Sequence, residues 1–238
     1  MSSDLDELKE RLVDAHGILY MEGLHEHFQG HVSARIPGKD EFLAPGKVHV
    51  YGRGLEDVSA SDLIRFDLSG QKLEGDLPPV YELVIHSAIL SSRKDVQSVI
   101  HCHSPYSIML SVVEKEVLPV TLFGSIFYEG VPVLDLGPSM VVSREHGRKL
   151  VQTLGDKYAV LLRGHGVVIA GESVEHACAR AVMLEFNAKI QVFSSGLGVP
   201  IAFEKGQARD NANDMWLANA DQTWKYLRNK LRKQKSKQ

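Results

Sequence analysis

Cysteine is scarce in this 238-residue chain: Cys102 and Cys178 are the only two, so no disulfide framework holds the fold and a reducing compartment is expected. Long apolar runs are missing as well. No stretch approaches the ~20 residues needed to span a bilayer. The opening MSSDLDELKERLVDAHG has neither the apolar centre of a signal peptide nor the Arg/Ser bias of a transit peptide. Net charge is -3 with His neutral, so no basic field points to nucleic acid. Repeats and low-complexity segments are absent too, and a hydrophobic content of 44% with 24% charged residues suits a chain that buries a core. These absences leave a cytoplasmic protein acting on a small molecule, with neither membrane nor nucleic acid as partner. Histidine is what stands out: there are 11, and they cluster, which raises a metal hypothesis first.

Apolar positions at helical spacing (Leu5, Leu8, Leu12, Val13, Ile18, Leu19) predict a helix over Leu5–Met21 that stops near Gly23. His31-Val-Ser-Ala-Arg-Ile and Glu41-Phe-Leu-Ala flank the turn residues Pro37-Gly38-Lys39-Asp40 and read as a β-hairpin. Asp62–Leu68 is another strand. Beyond Pro78-Pro79, helices are expected over Tyr81–Ser91, Tyr106–Val112, Arg144–Leu154, Val174–Ser194 (the longest) and Met215–Arg232. Strands alternate with them at Val96–Cys102, Val131–Leu136, Ala159–Leu162 and Val167–Ala170. Residues 1–238 therefore read as one three-layer α/β domain, with a basic C-terminal helix or tail from about residue 213. Lys225–Lys237 reads as a solvated helix end rather than a phosphate site, because few aromatics interleave its charges.

Three short segments carry chemistry. His101 and His103 end an apolar strand, and a period of two puts both imidazoles on one side, where they can share a cation. His165 stands between Gly164 and Gly166, whose backbone freedom lets a turn present its imidazole into a cleft. Glu82 follows Pro78-Pro79 and enters the first turn of a helix, where the dipole favours an anion. His86 lies four residues on, along the same helical face. A carboxylate beside a metal-bound carbonyl is what a proton transfer needs.

Gly30-x-Val32-Ser33-Ala34-Arg35, then Glu82 opening a helix, then His101-x-His103, then Leu161-Leu162-x-x-His165-Gly166 resembles the class II aldolase/adducin family, over about Leu8 to Ser195. The resemblance implies an α/β/α sandwich with a largely antiparallel central sheet, assembled as a homotetramer with clefts at subunit boundaries. It implies one divalent ion per subunit on His101, His103 and His165, with Glu82 as acid/base. Three imidazoles suit Zn²⁺ first, and also Mn²⁺, Co²⁺ or Fe²⁺. Adducin-like structural members lack the metal histidines, and this chain keeps all three.

The departures from the family pattern bear on the substrate. Sugar-phosphate members carry Gly-Asn-x-Ser, Pro-Ser/Thr-Gly and a Ser-Ser pair before the glutamate, and these bind phosphate. This chain has Gly30-His31-Val32-Ser33, Ala44-Pro45-Gly46-Lys47 and Pro79-Val80-Tyr81. A phosphate would lose several charge-assisted hydrogen bonds. The substrate-binding candidates are His31, Ser33, Lys47, His86, Arg163 and Tyr128, a set that suits a carboxylate better. The Leu122–Tyr128 segment (Phe123, Phe127, Tyr128) could face a flat substrate or pack internally. Likewise Trp216, Trp224 and Tyr226 could cover a neighbour's cleft or pack at home.

The expected reaction is carbon–carbon cleavage whose electrons collect in a metal-stabilised enolate. Decarboxylation of a hydroxylated, dihydroxyphthalate-like aromatic acid is favoured over aldol cleavage or epimerisation of a sugar or sugar phosphate. Partial burial is expected to raise the Glu82 pKa.

Overall fold

The computed structural model describes residues 2–237. In chain order it contains α1 (Ser2–Met21), β1 (His31–Arg35), β2 (Glu41–Pro45), β3 (Leu63–Asp67), β4 (Lys72–Glu74), α2 (Leu83–Ser92) and β5 (Ser98–Cys102). There follow α3 (Pro105–Val112), β6 (Val133–Leu134), α4 (Arg144–Leu154), β7 (Ala159–Leu162), β8 (Gly166–Gly171), α5 (Val174–Ser195) and α6 (Lys205–Lys235). The strands form one sheet in the order β4-β3-β2-β1-β5-β8-β7-β6. Every pairing is antiparallel except β6 with β7.

Strand alternation splits the core in two. Ile100 and Cys102 of β5, with Val167 and Ile169 of β8, join one apolar cluster that holds Leu12 of α1, Leu110 of α3, Leu184 of α5 and Leu227 of α6. Val99, Val168 and Ala170 face the other way, into a cluster with Ile85 and Ile89 of α2 and Leu150 of α4. The result is the expected three-layer α/β/α sandwich. His31, Ser33 and His101 alternate with members of the first cluster, so they project toward the α2/α4 layer.

Local chemistry sets the boundaries. Ser143 and Ser173 cap α4 and α5, accepting the N–H of His146 and His176, each at 3.1 Å. Pro105 opens α3, where its missing N–H costs nothing. Two expectations are corrected and one strand is added. The strand expected at Val131–Leu136 shortens to two residues. The exposed strand β4 was not foreseen, because Lys-Leu-Glu carries no strand pattern. The longest helix is α6 rather than α5, and it starts about ten residues early. Ala208, Ala212, Ala220, Trp224, Leu227 and Leu231 form its buried stripe, and alanines among polar residues give little hydrophobic signal.

The basic C-terminal segment is more anchored than a solvated tail. Lys230 Nζ lies 2.7 Å from Glu22, and Arg228 pairs with Asp14 of α1. Trp224 is buried at home, and Trp216 stacks under the Arg180 guanidinium, while Tyr226 is exposed. Both cysteines are free and buried. Among the described residues, no helix is long and apolar enough to cross a membrane.

Candidate metal centre

The site forms where β5 ends, beside the start of α2. His31 of β1 pairs in register with His101 of β5. His103 leaves the strand just beyond. His165 arrives from the β7–β8 turn, and both flanking glycines are required. Gly164 has φ +63, and a Cβ on Gly166 would stand 2.5 Å from the Cys102 carbonyl oxygen. Glu82 is the residue before α2, with φ -97 and ψ 30, rather than inside its first turn. It is buried, and its Oε1 accepts the Val141 N–H at 2.7 Å.

Four ligand atoms, from Glu82, His101, His103 and His165, lie within 4.8 Å of one another. His101 Nε2 is 3.2 Å from His103 Nε2 and 3.4 Å from Glu82 Oε2, and His165 Nε2 is 3.5 Å from the same oxygen. Two donors held at ~2.1 Å by one tetrahedral Zn²⁺ stand about 3.4 Å apart. The tautomers agree with a metal. His101 Nδ1 donates to the Val167 carbonyl at 3.1 Å, which leaves Nε2 bare. His103 Nδ1 faces the Glu26 carboxylate at 3.4 Å, which leaves its Nε2 bare as well. Two lone pairs aimed at each other need a cation between them, and the outer partners fix ring orientation as metal-binding imidazoles require.

Burial, followed by repulsion from His101, lowers His103 to about 3, so it stays neutral and able to ligate. Burial also pushes the Glu82 carboxyl up. The His101 and His165 imidazoles against Oε2 outweigh burial and hold it below the usual carboxylate range. The expectation of a raised pKa is therefore reversed: two imidazoles at contact distance outweigh partial burial, and a divalent ion would act in the same direction.

A cavity of about 240 Å³ opens over His31, Glu82, His101 and His103. That is close to the roughly 300–1,000 Å³ of small-molecule sites. Of the substrate-binding candidates only His31 lines it. Ser33 and His86 lie behind His31 and are fully buried. Lys47 stands outside, its Nζ 3.2 Å over the Tyr81 ring. Arg163 is turned away, bound to Asp135 at 2.7 Å and Glu114 at 3.2 Å. Tyr128 lines a separate cavity with Phe127 and Lys157, and Leu122 and Phe123 line another with Trp216. Among the wall residues that sequence reasoning missed are Phe28, His49, Tyr81 and Met140, and it missed Glu26 as well. The only signal for them was histidine density around Phe28, in His25-Glu-His-Phe.

An α/β/α sandwich that aims three imidazoles and a carboxylate at one point, beside a small-molecule cavity, offers a group that could hold a divalent metal, as class II aldolases do. The chain belongs to that family: residues 10–192 match the Class II Aldolase and Adducin N-terminal domain. Class II aldolases are metal-using lyases. The chain is 32% identical to a 3,4-dihydroxyphthalate decarboxylase of Arthrobacter keyseri, over 79% of each chain. It superposes on an aldolase II superfamily protein from Pseudomonas syringae with a TM-score of 0.85 at 26% identity, covering 98% of this chain and 95% of the other. An L-fuculose 1-phosphate aldolase from Glaciozyma antarctica PI12 gives a TM-score of 0.82 at 25% identity, covering 97% and 90%.

Proposed function

We propose that this chain is a divalent-metal-dependent lyase that decarboxylates a hydroxylated aromatic acid of the dihydroxyphthalate type. His101, His103 and His165 hold the ion, with Zn²⁺ the first candidate, and Glu82 moves the proton. The observation that carries this reading is the convergence of the His101, His103 and His165 ring nitrogens with a Glu82 carboxylate oxygen. A divalent ion held there would supply Lewis acidity to the substrate. Glu82 starts ionised, with Oε1 anchored on the Val141 N–H, so Oε2 takes a proton from a substrate hydroxyl. Cleavage releases carbon dioxide and leaves an electron pair on the ring carbon. Glu82 returns its proton to that carbon and regains its starting charge. Phe28 stacked on His49, at 4.8 Å, supplies a flat wall for a ring, and Tyr81 stands beside them.

The relative named as a dihydroxyphthalate decarboxylase supports this substrate class. The likeness to an L-fuculose 1-phosphate aldolase supports a second reading, aldol cleavage of a sugar phosphate. An adducin-like structural role would leave the bare imidazoles without purpose. Carbon dioxide release from dihydroxyphthalates, set against aldehyde release from sugar phosphates, decides: turnover of sugar phosphates alone rejects decarboxylation. A cytoplasmic homotetramer goes with this reading. In its support, Leu197, Val199 and Ile201 are 94%, 91% and 90% exposed, an apolar run that a second copy would cover.

A further inference from the structure

Behind the cavity wall, a hydroxyl and two imidazoles form a chain whose polarity can be assigned. Ser33 Oγ lies 2.6 Å from His86 Nδ1, and His86 Nε2 lies 2.6 Å from His31 Nδ1. Ser33 and His86 are 0% exposed and His31 is 7% exposed, so water does not compete for these bonds. Among the described residues, His86 Nδ1 is the one hydrogen-bonding neighbour of the Ser33 hydroxyl. The Ser33 carbonyl is engaged separately, by the Ser98 hydroxyl at 2.8 Å. A buried hydroxyl proton needs an acceptor, so Ser33 donates to His86 Nδ1. A neutral imidazole carries one proton, so His86 Nε2–H donates to His31 Nδ1. The His31 proton then sits on Nε2, the ring nitrogen left for the cavity that His31 lines.

We propose that Ser33 and His86 are positioning residues that lock His31 as a neutral Nε2–H donor, so that the cavity selects substrates presenting a carboxylate, an acceptor-only group. A donor without charge suits this place. The His31 ring centroid is 5.1 Å from that of His101, where a second cation would repel the metal ion. A free imidazole can flip its tautomer and accept a substrate hydroxyl, and the Ser33–His86 chain removes that option. This deepens the decarboxylase reading and rests on it for the substrate, but the tautomer itself is independent of the reaction.

The test is long-range ¹H–¹⁵N correlation of the imidazoles in the Zn²⁺-loaded chain, with H31Q assigning the His31 signals. The wild type is expected to show His31 protonated at Nε2 and bare at Nδ1. S33A and H86L are expected to mix the two tautomers, whereas H86Q, which keeps a donor toward His31, retains one. Calorimetry supplies a second measure. Wild-type preference for 3,4-dihydroxybenzoate over catechol is expected to fall about fivefold in S33A and H86L, the scale of one weakened hydrogen bond, and to survive in H86Q. A wild-type His31 protonated at Nδ1, or one tautomer unchanged in both S33A and H86L, overturns the proposal. The expected tautomers in a protein that releases no carbon dioxide would sustain the positioning role and remove only the substrate reading.

Discussion

Replacing Glu82 by Gln separates metal binding from proton transfer, because the two depend on different atoms. Glu82 Oε1 accepts the Val141 N–H at 2.7 Å, and Val141 is fully buried. Leaving that N–H unpaired would cost about 1–3 kcal/mol. In E82Q the carbonyl oxygen of the new amide therefore takes the Oε1 place, and its NH₂ falls where Oε2 was, 3.4 and 3.5 Å from the His101 and His165 Nε2 atoms. An amide there neither accepts nor delivers the proton. Loss of a positioned acid/base costs ~10²–10⁴-fold in kcat, equivalent to roughly 2.7–5.5 kcal/mol of barrier. The three imidazoles are untouched, so metal stoichiometry is expected to stay at that of the wild type. The assay pairs elemental analysis with carbon dioxide release from a dihydroxyphthalate. E82Q at wild-type turnover refutes the assignment, and E82Q without metal makes Glu82 a ligand first and a proton carrier second.

Other outcomes follow from the same geometry. Gly166→Ala drives a Cβ to 2.5 Å from the Cys102 carbonyl and 3.3 Å from His101 Cε1. It should cost about 1–3 kcal/mol in denaturant unfolding and weaken metal binding; unchanged stability would refute the close approach. His16 donates from Nδ1 to the Leu12 carbonyl and accepts the Val32 N–H at Nε2, at 2.7 and 3.0 Å. Burial lowers it from 6.5 to about 4, against the raising effect of Leu12. The unfolded chain thus binds the extra proton first, and stability is lost as pH falls from 6.5 toward 4. The wild type should lose about 2 kcal/mol more than H16Q between pH 7 and pH 5, and identical pH profiles would contradict this. Arg163→Ala removes surface pairs with Asp135 and Glu114 outside the cavity, and should change KM less than twofold. A tenfold rise in KM would return Arg163 to the substrate.

The parts of the site legible in the sequence are those set by local geometry. The period of a strand places His101 and His103 together, glycines on either side of His165 mark a turn, and Pro78-Pro79 announces the helix that Glu82 precedes. What depends on tertiary neighbours was not legible. The Glu82 pKa direction depends on two imidazoles distant in sequence. Ser33 and His86 look like cavity groups until β1 and α2 pack face to face and bury them against His31. Arg163, two residues from His165, points outward to Asp135 instead of inward. The Val141 N–H is a backbone group, and no side-chain pattern could flag it. In the fold, the early start of α6 hid behind alanines, which are buried but carry little apolar surface and stand among polar residues.

Metal content of the wild type and of His103→Ala, each purified without added metal, tests the central claim most directly. His103 Nε2 sits 3.2 Å from His101 Nε2 with its other nitrogen turned to Glu26. The expected result is one divalent ion per wild-type chain, lost to chelator together with carbon–carbon cleavage and restored by Zn²⁺, and no ion in H103A. A metal-free wild type that still turns over, or an H103A chain that keeps its ion at full affinity, would contradict the account.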